Sequence, residues 1–510
     1  MRKTSKTRSS LLAAATLALA LTLSGCGGAQ GAAEEPDAAA TSSTPEAGGT
    51  LTVASPYPVE SLDPHGPLGA SSGTSFAAQA IFNRLVRVSP EGEVIPDLAT
   101  EWTASEDAKE WTFTLRDATF SDGSPVTSAD VAGSFERVLE LGGPVSGNFA
   151  GVTIEATDDS TVVFTAANPE AALLGKLSLF FVTKGDVTED SFTSPVGAGP
   201  FAVESFAPGE QMVLKPNEKF FGDVPILDEL VVRNIPEVSS RVAALQAGEI
   251  QATWNLPDDQ VPAIRDAGIT VETIPATSVI TMWFNSGRDA LGSAEVRRAL
   301  WQAIDFPTII SALFPQTGSP ADSVVASAIL GHAPQSPVEH DPDAAKAALE
   351  DAGFDFSQRL ELQFSGADWR QFTAAVASDL NAIGVQAEAV EKESAVFTED
   401  LLAMRWDINF QALSTPTFDA ATNLGRLYTC AAGRNGYCNP ELDELLAAAG
   451  SSSDLAVREA AYADAIEIIW DDAVGMYPMF MEIPYAWVDG VQGIELSGSF
   501  LPDFRGASVR

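Results

Sequence analysis

Residues 110–140 read EWTFTLRDATFSDGSPVTSADVAGSFERVLE, and this stretch decides the fold class. From Trp111 to Leu115 apolar and polar side chains alternate, the period of a strand with one buried face. Asp122-Gly123 is a turn pair. Thr127 stands where a helix begins, with Asp130 at its third position. That is the capping-box pattern, in which each side chain takes a free backbone N–H of the other residue. Strand, turn and capped helix follow one another directly.

The same grammar continues outward on both sides. VTIEATDDSTVVFTA (152–166) reads as a hairpin around Asp158-Asp159, and GGTLTVASPYPVESLDPHG (48–66) opens as a strand and breaks at prolines. In GTSFAAQAIFNRLVRV (73–88) Phe76, Ala80, Ile81, Leu85 and Val88 make a helix-like stripe. GAGPFAVESFAPGEQMVLKPNEKFFG (197–222) predicts strand, turn and strand, with Pro208-Gly209 at the turn. A strand follows at 228–236, a helix ending at Gly248, and the apolar strand SVITMWFNS (278–286). Two later helices carry both end signals: Asp341 with Pro342 and Gly353, then Asn439 with Pro440 and Gly450. The class is mixed α/β, in two or three lobes.

The N-terminal end carries a different message. Arg2, Lys3, Lys6 and Arg8 precede an apolar run from Leu11 to Leu23, which is too short to span a bilayer. That pattern is a secretory signal, expected over 1–25. Leu23-Ser24-Gly25-Cys26 resembles a bacterial lipobox, which would leave Cys26 as an acylated first residue and membrane anchor; an ordinary signal that happens to contain a cysteine is the alternative. Residues 26–48 are then the acylated cysteine and a flexible tether, about 26 Å in root-mean-square span. Net charge is −41, and losing the four basic leader residues takes it to about −45. Such a surface repels nucleic acid, so no DNA or RNA partner is expected. Cys430 and Cys438 flank a glycine-rich turn, and in an exported protein this spacing suggests a loop-closing disulfide; two free thiols or half of a metal site are the alternatives.

Catalytic patterns are scarce. GASSG (69–73) matches G-x-S-x-G around Ser71, but the proline-broken LDPHGPL before it cannot supply the strand that a nucleophile elbow needs. His65, His332 and His340 fall in no metal or triad motif and are expected to be solvated loop residues. GAGPF lacks the third glycine and the helix that dinucleotide binding requires. No enzyme activity, metal or cofactor is expected. Trp254, Trp283 and Trp406 stand at strand ends beside polar residues, where an aromatic either lines a ligand cleft or packs a core.

Six ordered segments resemble the solute-binding proteins of ABC importers, family 5, whose members bind peptides, nickel complexes and other solutes. They are AIFNRLV…SFERV (80–138), GAGPF…KFFG (197–222), RVAALQAGEIQA (241–252), FNSGRDALGSAEVRRALWQAID (284–305), DPDAAKAALEDAGF (341–354) and NPELDELL…IIWDDA (439–473). Ala198 and Phe201 replace the family's threonine and tyrosine in the second segment. The resemblance implies a periplasmic-binding-protein-like fold with two lobes, a hinge and an extra inserted domain. Lobe I would comprise 49–79, 194–275 and 488–510, the insert 80–193, and lobe II 276–487. It implies a monomeric receptor, without enzyme activity, that captures a solute between its lobes and delivers it to a membrane permease. An oligopeptide leads among solutes; an oligosaccharide, nickel chelate or metallophore, or a non-transport surface module, are alternatives. On the same ground Tyr57, Trp254, Asn255, Thr281, Trp283 and Thr417 would line the cleft. Asp419 would hold a peptide amine, or instead cap the helix that follows it.

Overall fold

Two long strands, Thr270–Phe284 and Gly475–Trp487, organise everything between Gly48 and the C-terminus. The structure, a computed structural model, describes residues 48–185 and 187–510; the leader, Cys26 and nearly all of the tether lie outside them. The long strands pair antiparallel from Thr270↔Trp487 to Trp283↔Gly475, with a register break between Pro275 and Val279. On the N-terminal side of that break, Ala252–Trp254 pairs with the 485–487 end. Beyond it lie Thr50–Ser55, Glu229–Asn234, Gln211–Pro216 and Phe201–Ala207. On the far side, Ile408–Ser414 pairs with 278–284, followed by Arg359–Phe364 and Gln386–Glu391. One eleven-stranded sheet is thus shared by two halves of the molecule.

The sequence of the first crossing strand explains the change. Residues 270–275 are part-exposed, whereas every residue from Ala276 to Phe284 is buried. A strand covered on both faces reads as a continuous apolar run without alternation. The core divides at the same place. Ala276, Ile483 and Tyr485 belong to one apolar cluster, with Leu51, Phe76 and Trp254. Val279, Met476 and Phe480 belong to another, with Leu300, Phe372 and Ile466.

A third cluster packs within residues 85–198. Its antiparallel sheet joins Ala99–Ala104, Glu110–Leu115, Thr161–Ala166 and Val152–Asp158 in that order. Helix Ser128–Leu141 lies against it. Phe135 on that helix meets Phe149, Phe164 and Phe180 at centroid distances of 5.1, 5.2 and 5.6 Å, each near edge-to-face. That arrangement suits the ring quadrupoles.

Local signals are realised closely. Asp130 Oδ2 accepts the Thr127 backbone N–H at 2.9 Å, closing the capping box. Asp341 and Asn439 cap their helices through the Ala344 and Glu441 N–H groups at 2.9 and 3.0 Å. Cys430 and Cys438 form a disulfide. Ser71 of GASSG is a helix cap: its Oγ accepts the Thr74 N–H at 3.2 Å. Gly197 and Gly199 of GAGPF serve packing, since a Cβ on Gly197 would stand 1.9 Å from the Ile81 carbonyl oxygen.

Two expectations need correcting. The helical stripe read through Val88 stops at Ile81, after which Asn83–Arg84 and Val86–Val88 are short strands. Asp97 enforces the break by accepting both the Asn83 amide at 2.8 Å and the Arg84 backbone N–H at 2.9 Å. His65, expected in solvent, is buried with its Nε2 2.8 Å from the Phe181 carbonyl, and burial lowers its pKa to about 4.

Phe135→Ala should cost about 3–5 kcal/mol in urea unfolding, because it empties the centre of an aromatic cluster. A loss under about 1 kcal/mol would mean that residues 85–198 do not pack as a tight core.

Candidate functional site

Between the two halves, where their loops meet, lies a cavity of ≈340 Å³. One wall comes from the helix after Ser71, the short strands carrying Arg84 and Arg87, and Phe181. The opposite wall is Ser414, Pro416 and Phe418, which follow the Ile408–Ser414 strand. The C-terminal tail closes the floor with Glu495, Asp503 and Arg505. Thr277, inside the register break, ties these walls together. Its N–H donates to Gly498 O at 2.9 Å, and its carbonyl accepts from the Thr415 N–H at 2.9 Å. The tail approaches so closely that a Cβ on Gly498 would fall 2.7 Å from the Pro275 carbonyl oxygen.

Charge is concentrated on the first wall and the floor. Arg87 Nη1 lies 3.3 Å from Glu495 Oε1. Arg505 presents both Nε and Nη2 to Asp503 Oδ2 at 2.7 Å. Burial opposes the charge of Arg505, but Asp503 more than offsets it and its pKa is raised. Arg84 lies 4.7 Å over the Phe181 ring, a cation–π geometry. Burial lowers its pKa to about 10, with Asp97 opposing. Gln79, Ser497 and Ser499 add neutral hydrogen-bonding groups to the lining.

None of the seven residues singled out from the sequence lines this cavity. Trp254 is 1 % exposed and packs on Phe76 and Phe504, with centroids 5.1 and 6.2 Å away. Trp283 is buried in the other half, its Nε1 donating to the Tyr428 hydroxyl at 3.1 Å. Thr281 is fully buried on the crossing strand. The structure joins Tyr57 and Asn255 directly: the Asn255 amide donates to the Tyr57 hydroxyl at 3.0 Å. Burial raises that hydroxyl to about 12, with Arg241 opposing. Thr417 is buried, its hydroxyl against that of Thr422 at 2.5 Å.

Asp419 offers no free carboxylate. Its Oδ2 accepts from Arg458 Nη2 at 2.6 Å, and its Oδ1 accepts from the Tyr462 hydroxyl at 3.1 Å and the Ala421 N–H at 3.0 Å. Both side chains of this ion pair are 6 % exposed. The Ala421 N–H contact holds the start of the helix that follows, beside the helix-cap role weighed for Asp419, and Arg458, Tyr462 and that N–H engage both carboxylate oxygens.

The arginines of the cavity went unread because Arg84 and Arg87 meet Glu495 and Arg505 from more than 400 positions away in sequence. Arg84 and Arg87 sit in NRLVR, and Arg505 in PDFRG near the C-terminus. The available signal was rarity: with 29 basic residues in 510, two arginines inside a buried apolar stretch are unusual.

Residues 93–435 match the model of the bacterial extracellular solute-binding proteins, family 5. The chain belongs to that family. The probable D,D-dipeptide-binding periplasmic protein DdpA of Escherichia coli is 30% identical over 425 residues, covering 78% of this chain and 82% of that one. The nickel-binding periplasmic protein of the same organism is 25% identical over 468 residues, covering 83% and 87%. Among solved structures, the ABC transporter substrate-binding protein CtaP of Listeria monocytogenes superposes with a TM-score of 0.82 at 23% identity, covering 91% of this chain and all of that one. That likeness shows the fold: the two halves sharing the crossing strands are the lobes of a periplasmic-binding-protein architecture. This family 5 protein is a non-enzymatic transport component that binds a solute and hands it on. Among the described residues no helix is long and apolar enough to cross a membrane, and no group of His, Cys, Asp or Glu is placed to hold a metal.

Asp419→Ala should destabilise the protein by about 3–5 kcal/mol in urea unfolding, since it strands the buried Arg458 charge. Solute affinity of the folded fraction should stay within about threefold. A tenfold loss of affinity at unchanged stability would assign Asp419 to the site.

Proposed function

We propose that the protein is a lipid-anchored receptor on the outer face of the cytoplasmic membrane. It captures a small peptide between its lobes as a monomer and delivers it to an ABC permease. The observation that carries this reading is a cavity whose walls come from both lobes. A solute touching Arg84 and Phe181 on one side and Ser414 and Phe418 on the other binds the closed arrangement better than an open one. Its volume lies at the low end for small-molecule sites and suits a short peptide better than a long one. The peptide class draws on the dipeptide-binding relative named above. The nickel-binding relative keeps a chelated metal as the second reading.

In this scheme segments 49–79, 194–275 and 488–510 move as lobe I, and 276–487 moves as lobe II. The insert 80–193 rides on lobe I, with the register break at 276–278 as the hinge. Cys26 carries the acyl anchor, and residues 26–48 let the body swing above the bilayer.

The test is the melting temperature of the full chain, purified in detergent, against pools of di- to hexapeptides, then sugars, then nickel with chelators. A ligand at 100 times its dissociation constant stabilises by about 2.7 kcal/mol, which is a shift of a few degrees or less in a body this size. A shift only with short peptides is expected; a shift only with nickel chelates or sugars would replace the solute while keeping the receptor. Cys26→Ala should release the protein from membranes and abolish labelling by radioactive palmitate. Retention on the membrane without label would overturn the anchor.

A further inference from the structure

Resting on the receptor reading above, we propose that the cleft recognises its solute by a carboxylate seated on Arg84 and needs no free amine on it. Five charged side chains line the cavity: three guanidiniums and two carboxylates. Both carboxylates are already matched, Glu495 to Arg87 at 3.3 Å and Asp503 to Arg505 at 2.7 Å. Arg84 is left over. Among the described residues its guanidinium has one hydrogen-bond partner, Gln79 Oε1 at 3.4 Å, a long and weak contact. The Asp97 charge acts on it through space, but the Asp97 oxygens accept the Arg84 backbone N–H and the Asn83 amide, not the guanidinium.

A half-buried guanidinium that has lost water without gaining a hydrogen-bonded carboxylate is destabilised, Asp97 and Asp503 offsetting this in part through space, and an incoming anion relieves it further. The planar fork matches a carboxylate in two parallel hydrogen bonds. Phe181, stacked beneath the guanidinium, holds that plane in place at 4.7 Å. An ammonium finds the opposite situation. The lining carboxylates are committed to Arg87 and Arg505, and Asp419 nearby is closed off by Arg458, Tyr462 and the Ala421 N–H. A free amine would enter a cleft whose surplus charge has its own sign.

The contrast with the rest of the molecule sharpens the inference. Arg241 and Arg297 also lack an ion pair, but their guanidiniums donate to several backbone carbonyls at 2.9–3.1 Å, whereas among the described residues the Arg84 guanidinium has the long Gln79 contact alone. Such an uncompensated charge is expected where a ligand completes the balance.

The experiment compares three dipeptide pools on the full chain by titration calorimetry: free, N-acetylated and C-amidated. Succinate serves as a carboxylate probe that is not a peptide. Acetylation should leave affinity within about threefold, and amidation should weaken it at least about tenfold, the scale of a charge-assisted hydrogen bond. Arg84→Gln should lose the same factor on the acids and little on the amides, with Arg84→Lys between.

Amides binding as tightly as acids would keep the receptor and overturn the seat, as would loss of binding on acetylation. Binding of succinate that Arg84→Gln weakens, with no dipeptide pool binding, would discard the peptide and retain the seat. Silence towards every carboxylate-bearing probe would overturn the seat outright. The wild-type comparison of pools stands even if an Arg84 variant fails to fold.

Discussion

The antiparallel pairing of Thr270–Phe284 with Gly475–Trp487 is the constraint on which the rest of the structure depends. Two chain segments some 200 residues apart must find one register, which breaks first between Pro275 and Val279 and shifts again between Ile280 and Met282. A continuous ladder would make one stiff sheet with no place to bend. The break frees Thr277 to bond outward, to the Gly498 carbonyl and the Thr415 N–H, rather than across the ladder. The same residues that interrupt the sheet therefore anchor the tail and the loop that enclose the cavity. In the proposed scheme, hinge and binding wall are one hydrogen-bonded unit.

The fate of charge follows from where that unit leaves room. Asp419 and Arg458 are sealed in the second lobe, where Tyr462 and the Ala421 N–H also serve the carboxylate, and such added hydrogen bonds help a buried ion pair to be tolerated. Arg505 and Asp503 are likewise matched at the floor. Arg84 differs because its backbone, not its side chain, uses the neighbouring acid. Asp97 gives its hydrogen bonds to the turn after Ile81, so it favours the guanidinium's charge from close by without pairing with it. The turn that directs residues 83–88 along the cavity is thus also what leaves a cation facing it.

Local structure was legible because its causes are local. The capping box at Thr127 and Asp130, the Asp341 and Asn439 caps and the hairpin at Pro208-Gly209 are each written within a few residues and appear as read. The family and its two-lobed fold were also legible, through ordered segments spread over most of the chain. The site was not. Trp254 and Trp283 are aromatic residues at strand ends, a pattern common to cores and clefts, and only packing against Phe76 or Tyr428 separates the two. Asp419 looked available because its partner, Arg458, lies 39 positions away on another helix. Arg84, Asp503 and Arg505 converge across more than 400 residues of sequence, a distance that no periodicity or motif bridges.

Closure and selectivity meet in the same few groups. A ligand can favour the closed state only by contacts it lacks in the open one. Arg84, Phe181 and Arg505 belong to one side, and Ser414 and Phe418 to the other. A charged group held on the first side fixes one end of the solute wherever the lobes stand, so it contributes to affinity in both states. The neutral wall of Ser414, Pro416 and Phe418 meets the solute only on closing, and its contacts are the ones that shift the population. Recognition of charge and the driving of closure are in this way assigned to opposite lobes, and the size of the neutral wall, not the strength of the arginine, sets how far the equilibrium moves.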